Sequence, residues 1–160
     1  MKILIVCQFY YPEKFAITPI AEGLVKNGHQ VDVVTGQPNY GYFKIAPGYK
    51  HVFAEDIHGV SVRRVRLIPR KKSRLSIVLN YLSYFISASL YLRKLSGDYD
   101  VVYSFTLSPV ISVSPANKFA KKHHIKHLLH CVDLWPESTV VTGAVKRNGL
   151  IYKVLYRWSQ

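Results

Sequence analysis

The chain has 160 residues, 49% of them apolar, and a formal net charge of +13 at neutral pH. The apolar share fills a core and excludes a disordered chain, and the length fits one domain or part of a larger protein. The charge implies an anionic partner, whether a membrane surface, a nucleic acid or a phosphorylated ligand, and does not choose among them.

Lys2–Cys7 is a continuous apolar run, the pattern of a parallel strand buried on both faces. The run is too short for a signal peptide and no small-residue cleavage site follows it. A loop from Gln8 to about Phe15 leads into helical spacing at Ile17, Ile20, Ala21, Leu24 and Val25, which Gly28 ends in the usual C-terminal position. Val31–Thr35 is the second strand, completing a βαβ unit. Residues 36–50 form a long loop with several Gly, Pro and Tyr; loops of this length in a compact domain are functional or mobile. Val60–Ile68 reads as a third strand and Arg70–Arg74 as a basic turn. Leu75–Leu92 is then uncharged for eighteen residues. That is long enough for a membrane span, but five polar residues and three Tyr interrupt it within an α/β pattern that needs a crossover helix. The expectation is an apolar helix, partly buried and partly laid on a membrane. Val101–Ser104 is a fourth strand, Pro109–Lys122 a helix, Ile125–Val132 a fifth strand, and 150–158 a further helix.

Strands alternating with helices give an α/β fold with a doubly wound, mostly parallel, Rossmann-like sheet. Its chemistry belongs on the loops after the strands. The loop after the first strand carries no Gly, so neither a dinucleotide fingerprint nor a P-loop is present. After the second strand, Thr35-Gly36 stands where an NAD-binding acid would be. Asn39 and Tyr40 suit either sugar hydrogen bonding or a turn with a core cover.

The basic residues Arg63, Arg64, Arg66, Arg70, Lys71, Lys72 and Arg74 form a cluster with no Asp or Glu between Asp56 and Asp98. Beside the apolar helix they suit anionic headgroups. A nucleic-acid groove lacks a reader motif. Cys7 and Cys131 lie in apolar runs and are expected as buried free thiols, with no disulfide or zinc spacing. His127 and His130, an odd step apart on a strand, point to opposite faces, which disfavours a metal site. Asp133 just past the fifth strand is placed to act as a base or to orient a hydroxyl, whereas Glu137 and Ser138 suit the cap of a following helix.

Five segments, Ile3-Leu-Ile-Val with Tyr10-Tyr-Pro-Glu13, Leu24 to Thr35, Pro38-Asn-Tyr40, Asn80-Tyr-Leu-Ser83 and Asp133-Leu-Trp-Pro-Glu-Ser138, carry a resemblance. The chain resembles the N-terminal half of retaining GT-B glycosyltransferases of family 4, of the bacterial type that builds O-antigen, capsule and colanic acid. The resemblance implies an acceptor-binding domain over residues 1–160, with the donor domain lying elsewhere. It implies sugar transfer from a nucleotide sugar to a lipid-linked saccharide in surface-polysaccharide or lipopolysaccharide synthesis. It also implies a cytoplasmic protein peripheral to the inner face of the membrane, with no metal and no cofactor beyond the donor. Asp133 would line the acceptor site as its catalytic group, and Tyr11, Pro12, Lys14, Asn39, Tyr40, Trp135 and Glu137 would shape the cleft. This chain alone would then be inactive. The alternative is a non-catalytic, membrane-associated subunit that recruits a separate donor-binding chain. Two departures from the family pattern stand out: Lys14 to Pro19 lacks the glycine pair of relatives, and Val132 stands where they carry His or Arg.

Overall fold

A computed structural model describes residues 1–107, 110–133, 140, 149, 152–153 and 156–157. Its elements run β1 (Lys2–Cys7), α1 (Ile17–Lys26), β2 (Gln30–Gly36), β3 (Ala54–Ile57), β4 (Val60–Val65), α2 (Arg74–Lys94), β5 (Val101–Thr106), a 3-10 turn (Val110–Val113), α3 (Ser114–His123) and β6 (Lys126–Cys131). The six strands form one sheet in the order β3-β4-β2-β1-β5-β6. All neighbours are parallel except the β3–β4 hairpin. Ile5 pairs with Val33 on one side and Tyr103 on the other, so β1 is central. The expected Rossmann-like doubly wound sheet is the fold observed.

Side-chain alternation divides the core into two layers. Ile3, Ile5, Val31, Val33, Val60 and Val62 pack under α1. Leu4, Val6, Val34, Val65 and Val102 pack under α2 and α3. Each fully buried aliphatic of this kind contributes about 1.5–3 kcal/mol. Gly28 adopts φ +79° after α1, the left-handed exit that its position predicts.

The third strand stops at Val65 rather than Ile68: Leu67 is still in the core but Ile68 is 47% exposed. The sequence reading also missed β3. Only Ile57 is buried in that edge strand, so its apolar alternation is too weak to register. The signal was the turn: His58 (φ 51°) and Gly59 (φ 84°) make a two-residue hairpin with both residues left-handed, as favoured hairpin turns require. Asp56 Oδ1 accepts the Gly59 N–H at 3.0 Å.

α2 is the crossover helix, and its polarity runs against the usual pattern. Ser76, Asn80, Tyr84, Ala88 and Leu92 form its buried stripe at four-residue spacing, while Leu75, Val78, Leu79, Leu82, Ile86 and Leu90 face outward, 39–69% exposed. By length and composition α2 could cross a membrane. Its seat on the sheet and the hydrogen bonding of Asn80 make it an integral part of the domain.

Cys7 is buried as expected, but Cys131 is exposed. β6 is an edge strand with Leu128 and Leu129 about half exposed, so its apolar run did not imply burial. His127 reaches Ser104 and His130 reaches Tyr103, on opposite faces of the sheet. Residues 150–158 are described at 152–153 and 156–157, all helical. Trp135, Glu137 and Ser138 lie outside the described residues.

Candidate functional site

The strand order reverses beside β1: the chain runs outward through β2 and β4, then crosses to β5 on the other flank. Open α/β sheets bind ligands at the carboxyl edge of such a switch point. Three segments meet there: the loop after β1, the loop after β2, and the N-terminal half of α2.

A buried polar network ties them together. The Gln8 side-chain amide donates to Asn80 Oδ1 at 2.8 Å. Asn80 Nδ2 donates to Asn39 Oδ1 (3.1 Å) and to the Ile68 carbonyl (2.7 Å). Asn39 Oδ1 also accepts the Arg70 N–H, and its Nδ2 donates to the Gln37 carbonyl. Asn39 and Asn80 are fully buried. Both ends of the Asn39 amide are therefore committed internally. It positions the loop, the turn-forming alternative of the two open for it.

Glu13 works in the same way. It is buried, and its Oε1 accepts the backbone N–H groups of Asn39 (2.8 Å) and Tyr40 (2.6 Å). Burial raises its carboxyl above the ordinary range, while these N–H donors draw it back down. Gly36 allows the two loops to approach: a Cβ there would stand 2.5 Å from Leu67 Cδ2 and 3.0 Å from the Gln8 carbonyl, and the Gly36 N–H donates to that carbonyl.

Tyr11, Pro12 and Lys14 line one recess of about 450 Å³ with Phe15 and Thr18, over the start of α1. Tyr11 and Lys14 are exposed. Tyr40 borders the recess through its ring contact with Phe15 (5.4 Å), and Phe9 completes an aromatic triad. The Arg70 guanidinium lies 5.5 Å from the Tyr40 ring and 3.5 Å from the Tyr81 hydroxyl. Burial raises the Tyr81 phenol; Arg70 lowers it, and Tyr40 and Asp133 raise it further. Tyr81 thus feels both the basic turn and the carboxylate singled out after β6. Asp133 is half-buried, and its carbonyl accepts from the Cys131 thiol at 3.0 Å.

The basic cluster divides. Arg63, Arg66, Lys71, Lys72 and Arg74 are exposed, with Arg66 over Phe53 and Lys72 over Phe43. Arg64 is not a surface residue. It is 4% exposed, its Nε pairs with Glu55 Oε1 at 2.6 Å, and its Nη2 donates to the Tyr11 carbonyl at 2.6 Å. Its place on β4 turns it under α1, where it holds the recess loop. Arg70 belongs with Tyr40 and Tyr81.

Gln8, Asn80 and Tyr81 escaped the sequence reading as functional residues, and so did the roles of Glu13 and Arg64. Glu13 and Asn80 stand inside the segments Tyr10-Tyr-Pro-Glu13 and Asn80-Tyr-Leu-Ser83, which were the available signals.

A doubly wound sheet whose carboxyl edge carries Tyr, Lys, Arg and Asp side chains defines a Rossmann-like domain. The chain belongs to the glycosyl transferase 4-like domain family, whose profile matches residues 15–160, and its general role is glycosyl transfer. No curated protein matches the sequence. Two crystal structures of the C-terminal domain of a hydrogenase from Pyrococcus furiosus are similar at 17% identity. They overlap 80% and 81% of this chain and 89% and 90% of theirs, with TM-scores of 0.47 and 0.49. A likeness that loose says nothing of function.

Proposed function

We propose that this domain is the acceptor-side half of a retaining GT-B glycosyltransferase. It moves a sugar from a nucleotide-sugar donor to a lipid-linked saccharide in bacterial surface-polysaccharide or lipopolysaccharide synthesis. The observation that carries the reading is the gathering of Tyr40, Arg70 and Tyr81 on the carboxyl edge, where Tyr40 borders the Tyr11–Pro12–Lys14 recess, with Asp133 following β6 on the same edge of the sheet. The recess and the aromatic triad offer a sugar ring flat apolar surface and polar groups at its rim. Asp133 is the carboxylate that orients or deprotonates the acceptor hydroxyl. The remaining contacts to the acceptor are assigned to Trp135 and Glu137.

The donor and the groups that stabilise its diphosphate leaving group come from a second domain or a partner chain. The exposed apolar residues Leu128, Leu129 and Val132 on and beside edge strand β6 support a further surface packing there. The exposed cations Arg63, Arg66, Lys71, Lys72 and Arg74 seat the protein on the cytoplasmic face of the membrane, where a lipid-linked acceptor resides. The reaction needs no metal in this reading.

The test is sugar transfer by the intact protein from its source cells, given a panel of nucleotide sugars and a lipid extract. Asp133→Asn should abolish transfer with the fold retained. Unchanged turnover would refute the assignment of Asp133.

A further inference from the structure

The outward face of α2 does not end at its own apolar stripe. Beside it, α2 and α3 enclose a groove of about 370 Å³ walled by Phe85, Ser89, Leu92, Pro115 and Phe119, a volume within the range of small-molecule sites. The walls are mostly carbon. Ser89 Oγ is buried there without a hydrogen-bond partner among the described residues. Three cations, Arg93, Lys118 and Lys122, line the same groove. All three are exposed, and Lys118 Nζ stands 5.7 Å from the Phe85 ring centroid.

No Asp or Glu occurs from residue 101 to 132, as none occurs from 57 to 97, so neither α2 nor α3 carries an acid. None of the ion pairs among the described residues involves the three cations. An apolar slot with an uncompensated cationic rim, continuous with exposed Ile86 and Leu90, is complementary to a molecule with a hydrocarbon chain and an anionic head.

We propose that the α2–α3 groove binds an anionic phospholipid of the membrane, one acyl chain between Phe85 and Phe119 and the phosphate held by Arg93, Lys118 and Lys122. The site rests on the membrane-peripheral reading above for its setting. Its chemistry is separate from the acceptor recess. The apolar stripe of α2 meets the bilayer around the bound lipid, and the exposed cations at the N-terminal end of α2 (Lys71, Lys72 and Arg74) rest on headgroups.

The experiment is binding of the protein to phosphatidylcholine vesicles with and without phosphatidylglycerol, followed by photolabelling with a phosphatidylglycerol carrying a photoreactive acyl chain. Binding should require phosphatidylglycerol, and the label should fall on peptides spanning residues 85–93 and 115–122. The combined variant Arg93→Gln, Lys118→Gln, Lys122→Gln should weaken binding about a hundredfold, at roughly fivefold for each cation near a headgroup. Lys26→Gln on α1 should leave binding unchanged. Ser89→Trp, which fills the groove and keeps every charge, should abolish groove labelling; the glutamine variant is confined to the surface and decides the matter if the tryptophan variant does not fold.

Equal binding to neutral vesicles, or label spread outside the two helices, overturns the proposal. So does stable self-association broken by Ile86→Glu, which would give this face to a second copy of the chain. The readout is lipid binding, not transfer. Loss of this inference leaves the glycosyltransferase reading standing, and an inactive protein that still binds phosphatidylglycerol in the groove leaves this inference standing.

Discussion

Replacing Asn80 by alanine probes the network on which the site edge depends. Asn80 is fully buried and makes three side-chain hydrogen bonds, to Gln8, Asn39 and the Ile68 carbonyl, at 2.7–3.1 Å. Asn39 Oδ1 keeps its bond from the Arg70 N–H, so truncation orphans two groups, the Gln8 amide and the Ile68 carbonyl. Each buried orphan costs about 1–3 kcal/mol, giving a loss of about 2–6 kcal/mol. A domain is stable by about 5–15 kcal/mol in all. With a urea dependence of about 2 kcal/mol per molar, the midpoint should fall by about 1–3 M, read by far-ultraviolet circular dichroism. Because the groups act as a unit, Gln8→Leu in the Asn80→Ala background should cost less than it does alone, with a coupling of about 1 kcal/mol or more. A midpoint shift below about 0.3 M, or strict additivity with Gln8→Leu, would refute the account of Asn80 as the tie between α2 and the two site loops.

Arg64→Met removes the partner of Glu55 and the donor to the Tyr11 carbonyl. It should destabilise by about 3 kcal/mol, and adding Glu55→Leu should restore part of that, as measured by the same urea titration. Glu13→Gln keeps an oxygen for the Asn39 and Tyr40 N–H groups and removes a buried charge. The folded carboxyl sits above its ordinary value of 4.5, so between that value and the raised one the native state binds more protons than the unfolded chain. Stability therefore falls as pH rises through that window. The glutamine variant should lose this slope and be at least as stable as wild type near neutrality. A wild-type pH profile in the variant would contradict it.

The fold was legible because the strand signals are strong where burial is two-sided. β1 is apolar from Ile3 to Cys7, β2 carries Val31, Val33 and Val34, and Gly28 marks the exit from α1. β3 was not legible because a one-faced edge strand carries only Ile57 inward. β6 was misread as buried because Leu128-Leu129 looks like core in a list of residues, while among the described residues β6 is an edge strand with both about half exposed. In the site, Tyr11, Pro12, Lys14 and Tyr40 were placed together by sequence reading and the structure gathers them in and beside one recess. For Asn39 two readings stayed open because a sequence does not say whether an amide faces outward or is committed internally. Arg64 was grouped with its basic neighbours for a similar reason: alternation along β4 turns Arg63 and Arg64 to opposite faces, and composition is blind to that. The inverted polarity of α2 escaped notice because Ser76, Asn80 and Tyr84 look like a solvent face until their burial in the fold is known.

The central claim is that Asp133 and the Tyr11–Pro12–Lys14 recess serve acceptor chemistry. The most direct measurement is the rate of sugar transfer to lipid-linked acceptor by the intact protein carrying Asp133→Asn, beside wild type, with circular dichroism confirming the fold of both. Loss of transfer, with wild type active, is the predicted result. Equal rates would contradict the account.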